Sequence, residues 1–387
     1  METFHSSPQR PTWAEIDLDN LAFNYRSVRK FIGAEVKCMA VVKADAYGHG
    51  SMRCAQRLTR EGVDWLAVAT FEEGAELRDA GIRTSILVLG GLWPEQENAF
   101  LDLDLTPTVF RIDQAEVVNR AATARDMRAK VHVKIDTGMG RIGFQAKSID
   151  EVAARLASLK SVEVEGLMTH FAVADELGNE FTENQMANFA EAVETLRGHG
   201  IAPAFTDLAN SPGAVAHPAS RADMVRLGGV LYGLAGDVLP RGIEVPELRP
   251  VMSLHSRIAL VKTIARGESV GYGRTFKANR DSIIATVPIG YHDGLSRSLS
   301  NKGKMIVNGT LAPVVGRISM DWTTIDVTDV PAASVGDLVT IIGTQNDVSI
   351  TAEEMAAERS TISYEVTCGI GGRVPRIFRE AINELPT

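Results

Sequence analysis

At 387 residues the chain is too long for one small core, so two domains, or one barrel with an addition, is the expected scale. A net charge of −9 argues against nucleic acid or an anionic membrane as the main partner. Cys38, Cys54 and Cys368 have no CxxC spacing, which leaves neither a disulfide framework nor a metal site to expect. No apolar run nears the ~20 residues of a membrane span. Residues 1–19 lack the basic end and apolar stretch of a signal peptide, so the cytoplasm is the expected compartment.

Residues 13–18 alternate like a strand. Asp19 is placed to cap a helix whose apolar positions Leu21, Phe23, Tyr25, Val28 and Phe31 point mainly to one side before Gly33 ends it. A rhythm follows. Apolar strand-like runs lie at 36–42, 63–69, 84–89, 103–109, 130–135, 162–168, 204–209 and 223–227, most of them separated by amphipathic stretches such as 51–61, 71–80, 113–124, 148–158 and 182–198. Alternation of this kind implies a parallel sheet, and eight continuous apolar strands fit a closed (β/α)8 TIM-type barrel better than an open doubly wound sheet. Pro240, Pro246 and Pro250 then mark a linker. Beyond it the runs at 252–265, 283–289, 304–316, 322–327 and 337–343 are short and β-rich, with turn signals such as Asn308-Gly309 and one clear helix at 351–359 capped by Thr351. The expected architecture is a barrel over 13–240 and a mainly β C-terminal domain over 241–387, with residues 1–18 packing on the β domain.

Polar residues follow several barrel strands. Lys43 ends the first; a lysine at the end of a buried strand is expensive unless it is used or paired. Lys134, Asp136 and Arg141 follow the fifth, His170 the sixth, Asn210-Ser211 the seventh and Arg226 with Gly228-Gly229 the eighth. In a parallel barrel these ends share one rim, where active sites of this architecture lie. Any one of them could be structural, and His170 alone reads first as a satisfied core histidine; five of eight strand ends together are harder to dismiss. The glycines after the seventh and eighth strands suit a phosphate held by backbone N–H groups. With no GxGxxG after a strand and no GxxxxGK[ST], dinucleotide and P-loop readings are weak. A lysine beside a phosphate site points to pyridoxal phosphate held as a Schiff base.

The stretch Ala40-Val41-Val42-Lys43-Ala44-Asp45-Ala46-Tyr47-Gly48-His49-Gly50 resembles the cofactor-lysine motif of bacterial alanine racemases. The similarity continues through Lys134 to Phe144, Thr169-His170-Phe171, Asn210-Ser211, Arg226 to Gly233, Gly271-Tyr272-Gly273-Arg274, Gly290-Tyr291-His292-Asp293-Gly294, Gly316 to Asp321 and Ser363-Tyr364-Glu365, in order across both domains. The resemblance implies a cytoplasmic homodimer whose active sites are shared between subunits, and interconversion of L- and D-alanine by two-base proton transfer, supplying D-alanine for peptidoglycan. It implies that Lys43 carries pyridoxal 5′-phosphate and acts as one base, with Tyr272 of the partner subunit as the other. Tyr47, Ser211, Gly228 with its neighbour Gly229, and Tyr364 would hold the phosphate, Asn210 and His170 would also bind the cofactor, and Arg226 would meet the pyridine nitrogen. Arg141 would bind the substrate carboxylate and Met320 would line the substrate pocket. Lys134, as a carbamate, Asp207 and Asp321 would support the site.

One departure is visible: where many members of the family carry a histidine four residues before the Asn-Ser serine, this chain has Asp207. Two other readings compete. Decarboxylases of basic amino acids use the same barrel, but Cys368-Gly369-Ile370-Gly371-Gly372 is not their Gly-rich motif; a lone cofactor-buffering barrel would lack residues 250–387 and Tyr272.

Overall fold

The computed structural model describes residues 9–381. It contains two compact units: Asn20–Arg249, and the residues through Asp19 together with those from Pro250 onward. The first unit is a closed parallel barrel. Its eight strands are Lys37–Val41, Trp65–Val68, Ser85–Val88, Thr106–Val109, Ala129–Asp136, Val162–Met168, Phe205–Asp207 and Met224–Leu227. Each pairs in parallel with the next, and the last pairs back onto the first. Closure rules out the open sheet. Strands covered on both faces have no solvated side, which is why most of these segments read as apolar runs, while Ala129–Asp136 and Val162–Met168 carry alternating polar residues. Parallel direction sends all eight carboxyl ends to one rim, the property on which the site depends.

The second unit is mainly β. Strand Thr12–Asp17, with alternate residues buried, pairs antiparallel with Met252–Arg257 and parallel with Arg376–Arg379, so both ends of the described chain enter one sheet. The part of the expected N-terminal packing that concerns residues 1–8 lies outside the described residues. Strands Lys304–Val307 and Thr310–Pro313 form a hairpin whose turn residues Asn308 and Gly309 both have positive φ, as a two-residue turn of this twist requires.

Three expectations are corrected here. Asp19 does not cap its helix, which begins at Leu18; its carboxylate instead accepts the N–H of Ala381 at 2.6 Å. The run 252–265 is two strands, Met252–Arg257 and Leu260–Ile264, which enter different sheets. The β unit also carries a second helix, Ser363–Cys368, too short to show a helical period.

Each unit buries a histidine that stays neutral. His132 inside the barrel is fully buried, and desolvation lowers its pKa to about 3, aided by the charge of Arg226. Burial lowers that of His255, which hydrogen-bonds Thr340 at 3.0 Å in the β unit, to about 4. An unfolded histidine takes up its proton near pH ~6.5, so acid favours the unfolded state until the folded pKa is reached. Between those limits each group removes at most about 1.4 kcal/mol of stability per pH unit as pH falls. Urea unfolding at pH 7.5 and 5.0 is expected to show a loss of up to ~6 kcal/mol, since His170, whose pKa burial lowers to about 2, contributes as these two do, and His132→Leu is expected to flatten the dependence by about a third. Equal pH dependence in the variant and the parent protein would refute the assignment to His132.

Candidate active site

Lys43 leaves the first barrel strand into a segment of unusual backbone. Ala44, Asp45, Ala46 and Tyr47 have φ of 53°, 53°, 54° and 55°, four consecutive non-glycine residues in the left-handed region. Left-handed helical geometry costs roughly 1–2 kcal/mol per L-residue, so the turn persists only because its surroundings over-determine it. They do. The Glu73 carboxylate accepts the Ala44 N–H at 2.7 Å, and Asp45 accepts the Ser51 N–H at 2.7 Å. The His49 ring nitrogen Nδ1 lies 2.9 Å from the Ala46 carbonyl and 3.0 Å from that of Tyr47, so it carries the proton and donates. Tyr232 stacks on His49, with ring centroids 4.6 Å apart, packs against Tyr47 and donates its hydroxyl to the Val41 carbonyl at 2.9 Å. The result is a half-buried Lys43 on a rigid turn, with Tyr47 folded back into the rim.

Tyr47 meets the ends of the seventh and eighth strands there. The Gly228 N–H donates to Ser211 Oγ at 2.9 Å. A Cβ built on Gly228 would lie 2.7 Å from the Tyr47 hydroxyl and 3.9 Å from Ser211 Oγ, so only glycine fits. Asn210 caps the short helix Ser211–Ala216, accepting the Gly213 N–H at 3.1 Å. Two hydroxyls and closely approached backbone at glycine form a small polar cradle suited to a phosphate. Gly229 opens the 3-10 turn that follows.

Arg226 is buried on the eighth strand beside this cradle, with both terminal nitrogens of its guanidinium engaged. It ion-pairs with the Asp207 carboxylate and donates to the carbonyls of Thr169 at 2.9 Å, Leu208 at 3.2 Å and Asp207 at 3.3 Å. Its other contact is His170 Nδ1 at 3.2 Å. A guanidinium can only donate, so Nδ1 of His170 must be the acceptor and the imidazole neutral. Burial, then the positive charges of Arg226, Lys134, Arg141 and Lys43, lower the His170 pKa to about 2, in accord with that tautomer. Burial pushes the Asp207 carboxyl up against the opposing pull of Arg226, and its second oxygen has no hydrogen-bond partner.

Lys134, buried on the fifth strand, has its pKa held well below the usual lysine range by burial and by Arg226, which favours the neutral amine over the charged one. Arg141 is exposed in the following loop, which Asp136 shapes by accepting the N–H groups of Gly138 at 3.0 Å and Gly140 at 3.1 Å. The barrel rim thus gathers Lys43, Tyr47, Lys134, His170, Asp207, Asn210, Ser211, Arg226, Gly228 and Gly229. Gln185 was not legible as part of it. This fully buried helix residue donates to Thr137 Oγ1 at 3.2 Å and to the His170 carbonyl at 3.0 Å, tying the fifth strand's exit to the sixth's. A single polar residue on an amphipathic helix gives no sequence signal of that role.

The β unit holds the other predicted residues. Tyr272 is 72% exposed in a tight turn between Gly271 and Gly273, both at positive φ. That turn lies against the Gly316–Asp321 segment, since a Cβ on Gly271 would come 3.1 Å from the Arg317 nitrogen. Met320 is exposed, and its carbonyl accepts the His292 N–H at 3.1 Å. Asp321 pairs with Arg373 at 2.6 Å, and Arg373 also binds the buried Asp293, which Arg10 grips with two hydrogen bonds of 2.9 and 2.6 Å. Tyr364 is the second residue of helix Ser363–Cys368. Among the described residues no group of histidine, cysteine and carboxylate side chains could hold a metal ion.

A lysine on a rigid turn, next to a hydroxyl-lined glycine cradle at the carboxyl rim of a closed barrel, is the equipment of the barrel enzymes that hold a phosphorylated cofactor on lysine. Known proteins narrow that class. The family model of the alanine racemase N-terminal domain matches residues 16–236, and that of the C-terminal domain residues 251–378. The alanine racemase of Halothermothrix orenii is 43% identical over 375 residues, covering 96% of this chain and 98% of its own. The crystal structure of alanine racemase from Bacillus anthracis with bound L-Ala-P superposes with a TM-score of 0.90 at 35% identity, over 97% of each chain. That from Bartonella henselae with covalently bound pyridoxal phosphate has a TM-score of 0.86 at 28% identity, over 95% of this chain and 99% of that one. The chain belongs to the alanine racemase family.

Proposed function

We propose that this protein interconverts L-alanine and D-alanine, with pyridoxal 5′-phosphate carried on Lys43. The observation that carries the reading is the rim itself: Lys43, the Tyr47–Ser211–Gly228 cradle and the ion-paired Arg226 converge on one face of one barrel. The cofactor, when bound, supplies an electron sink that acidifies the substrate's Cα–H. Tyr47, Ser211, the backbone at Gly228 and Gly229, Asn210 and Tyr364 would hold its phosphate. Arg226 would lie at its ring nitrogen; because a guanidinium keeps its proton, it would donate there without protonating the ring, which would moderate the sink and favour return of the proton to carbon over side reactions. His170, a neutral acceptor for Arg226, fixes that guanidinium.

Racemisation must remove a proton from one face of Cα and return one to the other. A single base would tend to restore the enantiomer it started from, so two are needed. Lys43 Nζ serves one face and the Tyr272 hydroxyl of the partner subunit the other, in a homodimer with shared sites. A lysine amine and a tyrosine hydroxyl in water titrate near ~10.4 and ~10, so general-base work near neutral pH calls for cationic neighbours around both. Arg141 takes the substrate carboxylate with its forked donors, Met320 lines the pocket, and Lys134 and Asp321 support these groups. The product serves as D-alanine for peptidoglycan, made in the cytoplasm.

The test is kinetic: kcat/KM in both directions for alanine and serine with purified protein and cofactor. Alanine is expected to be favoured by no more than about 10²-fold, because an apolar pocket rejects an added hydroxyl weakly. A protein that binds the cofactor but forms no D-alanine from L-alanine would refute the reading.

A further inference from the structure

Glu73 touches the backbone of the Lys43 turn but has no part in the chemistry described so far. Its sequence setting, Thr70 followed three residues later by a glutamate, accounts for it as half of a capping box. The structure bears that out: the Glu73 N–H reaches Thr70 Oγ1 at 3.4 Å, and Glu73 Oε2 accepts from Thr70 N at 3.3 Å and from Ala69 N at 2.7 Å. A capping box uses one carboxylate oxygen. The other, Oε1, points across to the neighbouring strand exit and accepts the N–H of Ala44 at 2.7 Å. That N–H belongs to the peptide joining Lys43 to the first left-handed residue. One carboxylate therefore ties the exit of the first barrel strand to that of the second.

We infer that Glu73 is a positioning residue for Lys43, its carboxylate pinning the Lys43–Ala44 peptide to the Ala69–Thr70 turn and so fixing where the lysine amine emerges on the rim. Fixing that peptide plane fixes the start of the Lys43 side chain and selects the left-handed path of 44–47, which returns Tyr47 to the Gly228 cradle. His49 and Tyr232 brace the far end of the same turn; Glu73 braces the near end. The function of the clamp rests on the reading of Lys43 as the cofactor lysine, but the clamp itself can be tested without cofactor.

Three variants separate the roles. Glu73→Ala removes both clamp and box, Glu73→Gln keeps the shape while setting an amide N–H2 against one of the backbone donors, and Thr70→Ala weakens the box alone. In the cofactor-free protein, hydrogen exchange of residues 43–50 in Glu73→Ala is expected to quicken about tenfold or more, with the other barrel strands unchanged. In the loaded protein, cofactor dissociation is expected to quicken about tenfold, and kcat to fall while KM changes less than about threefold. Glu73→Gln should fall between Glu73→Ala and the parent protein, and provides the same readouts if Glu73→Ala fails to fold. Thr70→Ala should lower the unfolding midpoint yet leave exchange at 43–50 and cofactor dissociation as they were. The inference is overturned if exchange and dissociation are unchanged in the glutamate variants, or if Thr70→Ala reproduces their loss, since the cap alone would then explain Glu73. Failure of the parent protein to take up cofactor would refute the function proposed above, with the exchange comparison still deciding the clamp.

Discussion

Mixed in equal amounts and allowed to exchange subunits, the Lys43→Ala and Tyr272→Phe variants, each inactive alone, are expected to recover about a quarter of the native racemase activity. Lys43→Ala removes the amine that carries the cofactor, so its visible absorbance and its turnover should both vanish. Tyr272→Phe keeps the ring and removes the hydroxyl; loss of a positioned acid or base costs typically ~10²–10⁴-fold, while the cofactor absorbance should stay as in the parent protein. If each site joins one subunit's barrel to the other's β unit, a mixed dimer contains one site with both lesions and one with neither. Half of all dimers are then mixed, each with one of two sites intact, which gives the quarter. The 72% exposure of Tyr272 is what a side chain that works against another surface should show. Sites built within single chains would predict no recovery, and that result would remove the shared-site proposal while leaving each residue's role to its own variant.

The parts of this molecule that were legible in sequence are those in which local pattern and tertiary role coincide. Strands covered on both faces are mostly apolar, so the eight barrel strands announced themselves, with ends shifting by a few residues at most, as at 103–109 against Thr106–Val109. The helix at 351–359 was equally plain, because Thr351 and Glu354 form its capping box from adjacent sequence. Asp19 misled for the opposite reason. As a cap it would have been a local device, but its carboxylate is taken by Ala381 from the far end of the chain. The left-handed turn was also hidden: Ala44, Ala46 and Tyr47 have no preference for positive φ, and the conformation is imposed by Glu73, His49 and Tyr232. Glu73 itself was masked by its own adequacy, since a capping box explains it until the second oxygen is followed to Ala44.

Asp207→Asn is expected to move the rising, acidic limb of the pH–rate profile to lower pH by about one unit in both directions, while cofactor retention changes less than about threefold. Asp207 is fully buried, and its carboxylate is the countercharge ion-paired to Arg226. Neutralising it leaves the guanidinium's charge uncompensated among Lys134, Arg141, His170 and Lys43. His170 is already neutral, with a pKa of about 2, and cannot absorb the change. A more positive site favours the deprotonated form of any base within it, so a base that must lose its proton to work does so at lower pH. A unit charge ~7 Å away at an effective dielectric constant of ~20 is worth about 2 kcal/mol, enough for a shift of that size. The phosphate cradle of Tyr47, Ser211 and Gly228 does not use Asp207, which is why retention should hold. Stability should suffer instead. Removing one partner of a buried ion pair costs about 3–5 kcal/mol, with asparagine toward the lower end because its carbonyl oxygen still accepts from Arg226, and Asp207→Ala toward the upper. Profiles unchanged in both directions would mean that the Asp207 charge does not reach the bases, and that its role is confined to holding Arg226 in place.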